Sequence, residues 1–457
     1  MSREQVKDNR SLVGQILLRI VKLLNIVVIT VPFAVIWYNF YSQLMLDAFY
    51  RKGNWIIIGL FVLFYCMFAR VYDALALSYD RISDLIFSQV LSAFISDFFM
   101  YIIIILLVRS YTVNPLPLLM SFGFQILYSI IWSKLSHIWF FQRFDRKKAI
   151  VIYDEVEGME NLINEYGFDA KFDVVNVYHV NEILDQLDNL SQVNTVFLSG
   201  VHSTPRNTII KYCVAKNISV FMIPRIGDTL MSGAHRMHML HLPMLRLERY
   251  NPSPEYLFVK RAFDIVVSLL GIIILSPFMI ITALAIKSDG GPALYKQVRL
   301  TKDGREFKIF KFRSMKVDAE KDGVARLSSG ENDDRITKVG HVIRAIRFDE
   351  LPQLFNILFG DMTIVGPRPE RPEIAKQYYE DLPEFELRLQ AKAGLTGYAQ
   401  VYGKYNTTPY NKLLMDLMYI SHPSVLQDLA IMFSTVKILF MKDSTEGIAE
   451  GQTTAAQ

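Results

Sequence analysis

Four long apolar runs in the first third of the chain constrain its fold more than any other feature: roughly Ile16 to Tyr38, Trp55 to Tyr72, Leu85 to Val108 and Leu116 to Phe141. About 20 residues of helix cross the hydrocarbon core of a bilayer, where only helices and closed barrels satisfy every backbone N–H and C=O. The runs therefore predict a four-helix membrane bundle over residues 1–148. Charges at their ends set an orientation. Arg3, Lys7 and Arg10 precede the first run, Arg70 and Arg81 separate the second and third, and Arg143, Arg146, Lys147 and Lys148 follow the fourth. All three clusters fall on one side, which the positive-inside rule makes cytoplasmic; Arg51, Lys52 and Arg109 on the other side weaken the bias without reversing it. The polar start leads into an apolar run too long for a signal-peptide core and without a small-residue cleavage pattern, so it is expected to stay as an anchor.

Composition narrows the ligand classes. Although 51% of the residues are hydrophobic, the net charge is only +4, and the basic residues lie mainly beside apolar segments. Membrane lipid is the expected neighbour, and nucleic acid is not an expected partner. Cys66 and Cys213 are too few and too dispersed for a disulfide framework or a cysteine metal site. The eight histidines show no metal-ligand spacing, and His235, His238 and His241 are read as part of a surface loop.

Between 149 and 250 the character changes. Short β-rich runs at 149–153, 174–178, 195–198 and 218–223 alternate with stretches that suit helix, which predicts a small parallel, Rossmann-like α/β domain. The turn after the first run, Asp154-Glu155-Val156-Glu157-Gly158, is acidic and has no glycine-rich phosphate cradle, favouring a regulatory or structural module over a dinucleotide site. Asn251-Pro252-Ser253-Pro254 reads as a linker.

A fifth apolar run, Ala262 to Ile286, is led by Lys260, Arg261 and Asp264 and broken near its middle by Ser276-Pro277. Length alone allows it to span. Four spans, however, return the chain to the cytoplasm, and a fifth would export residues 290–457. An interior proline loses one backbone hydrogen bond and clashes with the carbonyl four residues back, and Ser276 is placed to satisfy a freed carbonyl. The expectation is a kinked helix over 262–286 that enters and leaves the bilayer on the same side. Lys260, Arg261 and Asp264 would then lie at the interface, where cations meet lipid phosphate.

From residue 290 the chain is charged and globular. Lys308-Ile-Phe-Lys311-Phe-Arg313-Ser-Met315 alternates so that Ile309, Lys311 and Arg313 share one strand face. Asp349-Glu350 is a pair of carboxylates flanked by Arg344 and Arg347 and followed by the apolar Leu351, Leu354, Phe355, Ile357 and Leu358, so the pair is expected at the start of a buried helix. In Gly366-Pro367-Arg368-Pro369 two prolines fix the backbone on either side of one arginine, which suits either a preorganised phosphate ligand or a rigid surface turn.

Taken in order, five segments resemble the bacterial sugar transferase family, the monotopic polyprenyl-phosphate hexose-1-phosphate transferases. They are the Lys-Arg-x-Phe-Asp start of the fifth run, the Lys-Phe-Arg-Ser-Met strand, Asp-Glu-Leu-Pro-Gln, Gly-Asp-Met…Val-Gly-Pro-Arg-Pro, and Gly394-Leu-Thr396-Gly397-Tyr-Ala-Gln400-Val. The resemblance covers about residues 255 to 442, and the four spans and α/β domain ahead of it are similar to the long members of the family. It implies an α-rich monotopic catalytic domain over 251–442 with a re-entrant helix at 262–286 kinked at Ser276-Pro277. It also implies that Asp349 is the nucleophile, Glu350 its partner at a Mg²⁺ site, Arg344 and Arg368 arginines of the active centre, and Lys311 and Arg313 its basic strand, with Arg299 a further phosphate-binding candidate. The implied reaction passes a hexose-1-phosphate from a UDP-sugar to undecaprenyl phosphate through a covalent aspartyl intermediate, releasing UMP, on the cytoplasmic face of the bacterial membrane.

Three positions depart from the usual pattern: Thr301 and Ala393 stand where glycine and proline are common, and Arg347 where a small hydroxyl residue is usual. Asp416 and Asp428 interrupt the apolar runs near 413–419 and 426–440, each read either as an active-site acid or as the polar face of an interfacial helix. The tail over 443–457 is expected to be disordered. The bundle and the α/β domain offer surfaces for a homodimer. A competing class, a membrane scaffold or nucleotide sensor, would have no use for the intact acid pair.

Overall fold

The computed structural model describes residues 3–45, 51–77, 82–110, 112–154, 158–165, 167–288, 290–316, 335–403 and 407–439. The tail at 443–457, Arg81, Glu155 and Glu157 lie outside the described residues. The chain divides into two compact units, Met1–Ile223 and Pro224–Gln457.

In the first unit the four apolar runs form helices α1 (Arg3–Asn39), α2 (Arg51–Val71), α3 (Ile82–Val108) and α4 (Leu116–Arg143). Each contains a segment long and apolar enough to cross a membrane. Neighbouring helices pack around buried Phe33, Trp37, Phe61, Tyr65 and Met100, with the Phe33 and Phe61 rings stacked 4.5 Å apart. Their outer faces leave Leu23, Leu24, Val27, Phe124, Leu127 and Ile131 exposed, which in water would be an unusually large apolar surface.

The same unit continues as β1 (Lys147–Tyr153), α5 (Met159–Glu165), β2 (Phe172–His179), α6 (Val180–Leu184), β3 (Thr195–Ser199), α7 (Ser203–Ala215) and β4 (Ser219–Met222). The strands form one parallel sheet in the order β2-β1-β3-β4. Ala149 to Ile152 of β1 are all buried, as expected of a central parallel strand covered on both faces. Asp154, just after β1, accepts hydrogen bonds from His202 at its backbone N (3.3 Å) and ring Nδ1 (2.7 Å).

The second unit starts at Pro224, earlier than the linker near 251 that the prolines suggested. Ile226 and Leu230 of α8 (Ile226–Ser232), together with Tyr250, pack against this unit's core, and Ser421 Oγ donates to the Thr229 carbonyl at 3.1 Å. His235 and His238 lie on a strand, not in a loop: β5 (His235–Met239) and β6 (Leu242–Arg246) form an antiparallel hairpin, with His241 at its turn.

The fifth apolar run becomes α9 (Pro254–Lys287), started by Ser253, whose hydroxyl accepts from Tyr256 N. The helix runs unbroken through Pro277, with Ser276-Pro277 inside it. Pro277 leaves the Ile273 carbonyl without its backbone donor, and Ser276 Oγ supplies one at 2.8 Å. Along one face Phe263, Val267, Ile272 and Leu275 meet the unit's core, and farther on Met279 and Ile286 pack with Phe312 and Ile343. The opposite face is apolar and open, with Phe258 at 76% and Ile274 at 66% exposure.

Beyond it lie β7 (Leu294–Leu300) and β8 (Glu306–Phe312), an antiparallel hairpin, then α10 (Lys338–Ala345), α11 (Gln353–Phe359), β9 (Thr363–Val365), α12 (Pro372–Asp381), β10 (Gly394–Thr396), α13 (Tyr398–Tyr402), α14 (Pro409–Ser421) and α15 (Val425–Leu439). β9 and β10 pair in parallel. Their core collects Phe307, Ile309, Ile357, Met362, Phe385 and Leu417, each worth about 1.5–3 kcal/mol when fully buried.

Candidate active site

Three short segments of the second unit converge on one small cleft, and the backbone explains why. Arg347 adopts a left-handed conformation (φ 53°) that ends α10 and swings the chain into a single 3₁₀ turn, Phe348–Glu350. The acid pair therefore precedes α11 by one turn instead of opening it. Asn356 of α11 fixes β8 beside this turn, its Oδ1 accepting from Phe310 N and its Nδ2 donating to the Lys308 carbonyl, both at 2.9 Å. The third segment, Gly366 to Glu370, follows β9.

Glu350 is the best-anchored residue of the cleft. Its Oε1 accepts from Lys311 Nζ at 2.8 Å and from Arg368 at 3.3 Å. Burial alone would raise its pKa, but the charges of Lys311 and Arg368 outweigh that and hold the carboxyl well below the usual range. Asp349 is pushed the other way, by burial and by the negative charge of Glu350, against the pull of Lys311, Arg344 and Arg368. Burial likewise lowers the Lys311 ammonium, opposed by Glu350. Arg344 Nη1 is buried and has no hydrogen-bond partner among the described residues. Arg299 donates to the Pro369 carbonyl at 3.0 Å and to Gln297 at 2.6 Å, and burial brings its pKa down to about 10. Arg299, Lys311, Glu350, Gln353, Arg368 and Gly394 line the cleft.

Glycines bring the walls together. A Cβ on Gly394 would overlap the Gly366 backbone, one on Gly366 the Lys392 carbonyl, and one on Gly397 the Gly366 carbonyl. Close approach of two strands, not turn geometry, is what these positions require. Two departures from the common pattern meet here as well. Ala393 N donates to Thr301 Oγ1 at 3.1 Å, a bond that a proline at 393 or a glycine at 301 would remove, and Thr301 Oγ1 in turn donates a hydrogen bond to the Asp361 carbonyl at 3.1 Å.

Other expected site residues have protein partners elsewhere. Arg313 donates to the carbonyls of Pro292 and Ile286 (both 3.1 Å), closing the end of α9 rather than facing the acid pair. Lys260 donates to the Val365 carbonyl (2.9 Å), Tyr419 (3.0 Å) and Asp428 Oδ2 (2.8 Å), so Asp428 is held among Lys260, Tyr256 and Tyr419. Arg261 donates to the Ile357 and Leu358 carbonyls at 2.7 and 2.9 Å, capping α11 beside Gly360 (φ 94°). Asp264 accepts from Thr363 Oγ1 and Ile364 N at 2.8 and 2.9 Å, tying β9 to α9. Lys260, Arg261 and Asp264, the three charges expected at the membrane interface, thus hold the domain to its helix through these bonds, since a charge buried in a helix interface needs a partner.

The segment 255–442 matches the family described as bacterial sugar transferase. A 190-residue stretch is 40% identical to the exopolysaccharide production protein PSS of Rhizobium leguminosarum bv. phaseoli and spans 94% of that protein and 39% of this chain. The chain belongs to the bacterial sugar transferase family. It is also 38% identical over 231 residues to the UDP-N-acetylgalactosamine-undecaprenyl-phosphate N-acetylgalactosaminephosphotransferase of Aeromonas hydrophila, covering 50% of this chain and 53% of that one. Over 224 residues it is 38% identical to the UDP-glucose:undecaprenyl-phosphate glucose-1-phosphate transferase of Escherichia coli K12, covering 48% of each. The matched stretch spans about half the length of these last two relatives.

Within this bacterial sugar transferase the support behind the cleft escaped the sequence reading. Arg388, 2% exposed, contacts Asp416 Oδ2 at 2.7 and 2.8 Å, lies 3.4 Å from Glu370 Oε1, and donates to the Arg368 carbonyl at 2.9 Å. Lys412 reaches Glu370 at 3.1 Å. Asp416 is therefore the buried counter-ion of Arg388. Glu370 follows the Pro-Arg-Pro segment in sequence, but nothing local names Arg388 as its neighbour. The donor set also bears on magnesium. Among the described residues no cluster of three or more His, Cys, Asp or Glu side chains would hold a metal unaided. Asp349 and Glu350 nevertheless fit an ion that binds through one or two carboxylates and takes its remaining ligands from water and substrate phosphates.

Proposed function

We propose that this chain transfers a hexose-1-phosphate from a UDP-sugar to undecaprenyl phosphate, an early membrane step of exopolysaccharide or capsule synthesis. The observation that carries the reading is the unequal treatment of two adjacent carboxyls by the same cations, Lys311 and Arg368. Glu350 is clamped by Lys311 and Arg368, whereas the raised pKa of Asp349 marks a carboxyl whose oxygens keep more of their basicity. Asp349 is accordingly the nucleophile. One of its oxygens attacks the phosphorus bonded to the sugar, the bond from that phosphorus to the bridging oxygen breaks, and UMP leaves with the electron pair. An oxygen of the lipid phosphate then attacks the same phosphorus, the bond to Asp349 breaks, and the carboxylate is regenerated with polyprenyl-diphosphate-sugar as product. Arg344, Arg368 and Lys311 stabilise charge on the transferring group. Glu350, with Asp349, would hold magnesium, which when bound neutralises the diphosphate.

A soluble donor and a lipid acceptor must reach the same carboxylate, and α9 suits that task as a re-entrant helix. Both its early residues (Lys260, Asp264) and its late ones (Met279, Ile286) contact one unit. This is expected of a helix that lies in one leaflet and exposes its apolar face to lipid, with the cleft on the cytoplasmic side. The hexose is the variable part, since the relatives are named for N-acetylgalactosamine and for glucose. Asp349→Asn should abolish UMP release from a panel of UDP-sugars in the presence of polyprenyl phosphate; UMP release that survives in the variant would sink the carboxylate-nucleophile reading.

A further inference from the structure

The segment that carries Arg368 is held mainly by its carbonyls. Pro367 and Pro369 have no N–H to offer, so the chain from Val365 to Glu370 is fixed where its oxygens meet donors. The Pro367 carbonyl accepts from Gly394 N at 2.9 Å, the Arg368 carbonyl from Arg388 at 2.9 Å, the Pro369 carbonyl from Arg299 at 3.0 Å and the Glu370 carbonyl from Leu300 N at 3.0 Å. These donors belong to β7, to β10 and to the turn Pro383–Gln390. The Val365 carbonyl differs, because Lys260 of the long apolar helix α9 reaches it at 2.9 Å, beside Tyr419 Oη of α14 at 3.1 Å.

Proton counting singles out Lys260. A phenol carries one proton, so Tyr419 cannot donate to the Val365 carbonyl and to Asp428 Oδ1, 2.8 Å away, at the same time. The Lys260 ammonium carries three, and three acceptors surround it: the Val365 carbonyl, Tyr419 Oη at 3.0 Å and Asp428 Oδ2 at 2.8 Å. Tyr256 donates to the same Asp428 oxygen at 2.9 Å. Anchoring α9 does not call for this arrangement, since Arg261 and Asp264 already bond to α11 and β9. What Lys260 adds is a grip on the backbone three residues before Arg368. Little slack separates the two, because Gly366 is closed against the Gly394 backbone and the Pro367 ring fixes φ.

We propose that Lys260 is a positioning residue for Arg368: it fixes the Val365 carbonyl, and the stiff Gly366-Pro367 step passes that placement to the guanidinium beside Glu350. Asp428 serves the same end by holding the ammonium in place. The inference rests on the phosphoryl-transfer reading of the cleft, in which Arg368 stabilises the transferring group, and it makes the apolar helix α9 part of what sets the cleft's geometry.

The test uses the full chain in lipid nanodiscs with undecaprenyl phosphate and whichever UDP-sugar of a panel it turns over fastest. The variant combines Lys260→Met with Asp428→Asn, which removes the three donors without stranding a buried charge. A misplacement of about 1 Å costs on the order of a hundredfold. Loss of one support among several should lower kcat for UMP release about tenfold and change KM for the UDP-sugar less than about threefold, because Arg368 acts on charge that develops in the transition state. Hydrogen exchange over residues 366–371 should quicken about tenfold while α11 keeps wild-type protection. Lys260→Arg keeps the charge beside Asp428 but spreads its donors over a planar fork; it should show both changes in weaker form, and it carries the test if the paired variant does not fold. A wild-type kcat, a loss carried by KM, unchanged exchange over 366–371, or exchange quickened equally in α11 would each overturn the proposal. UMP release that survives in Asp349→Asn would instead remove the reaction and leave the exchange result standing.

Discussion

Replacing Arg388 by methionine asks whether the cleft depends on a charge that touches neither carboxylate of the acid pair. Methionine keeps most of the side-chain volume and removes every donor. Arg388 makes two contacts to one Asp416 oxygen (2.7 and 2.8 Å), one to the Arg368 carbonyl (2.9 Å) and a longer one to Glu370 (3.4 Å). Glu370 keeps Lys412 at 3.1 Å, so the cost falls on Asp416, which is 1% exposed. Removing one partner of a buried pair costs about 3–5 kcal/mol, most of it the penalty of the stranded charge. Arg388→Met should therefore lose about that much in denaturant unfolding of the purified chain. Adding Asp416→Leu should restore part of it, because the double variant buries no charge there, giving a coupling energy above about 1 kcal/mol. UMP release should stay low even in the restored double variant, since the Arg368 carbonyl still lacks its donor. A loss below about 1 kcal/mol for the single variant, or strictly additive singles, would refute the reasoning.

Gly394→Ala places a methyl group against the Gly366 backbone, which cannot move aside as a side chain can; a stability loss of about 1–3 kcal/mol and a fall in UMP release are expected, and wild-type values for both would contradict the close-approach account. Glu370 links stability to acidity. Burial opposes its ionisation, but Lys412, Arg388 and Arg299 outweigh burial and bring its pKa from 4.5 down to about 2. A depressed carboxyl contributes stability that is full above the unfolded value and is lost as pH falls, so roughly 3 kcal/mol should disappear between about pH 4.5 and 2. Glu370→Gln should flatten that part of the unfolding profile, and an unchanged acid limb would count against the ion cluster. For topology, a cysteine in place of exposed Lys302, in the turn between β7 and β8, should resist impermeant thiol reagents in intact cells; labelling there would mean that α9 spans.

Much of the architecture was legible because its causes are local. A bilayer demands about 20 apolar residues per helix whatever the partners, so four such runs in the sequence become α1 to α4. A central parallel strand must be apolar on both faces, so the runs at 149–153 and 195–198 become β1 and β3. Alternation placed Ile309 and Lys311 on one face of β8, and both line the cleft. The same alternation put Arg313 beside them, yet β8 ends at Phe312, and the Arg313 side chain donates to the carbonyls of Ile286, in the last turn of α9, and of Pro292. Proline chemistry, too, was legible: the carbonyl that Pro277 frees, that of Ile273, accepts from the Ser276 hydroxyl as the local sequence suggests.

By itself, the sequence determined the number of apolar helices, the parallel strands and the adjacency of Asp349 and Glu350, all properties of residues close along the chain. Only the tertiary structure decided which charges meet. It gave Glu350 to Lys311 and Arg368, Asp416 to Arg388, and Asp428 to Lys260, and it closed Gly366 against Gly394. The physical reason is that a charge shows in the sequence where it is, but a buried ion pair forms between groups that folding brings within about 4 Å, at separations along the chain that no local pattern encodes.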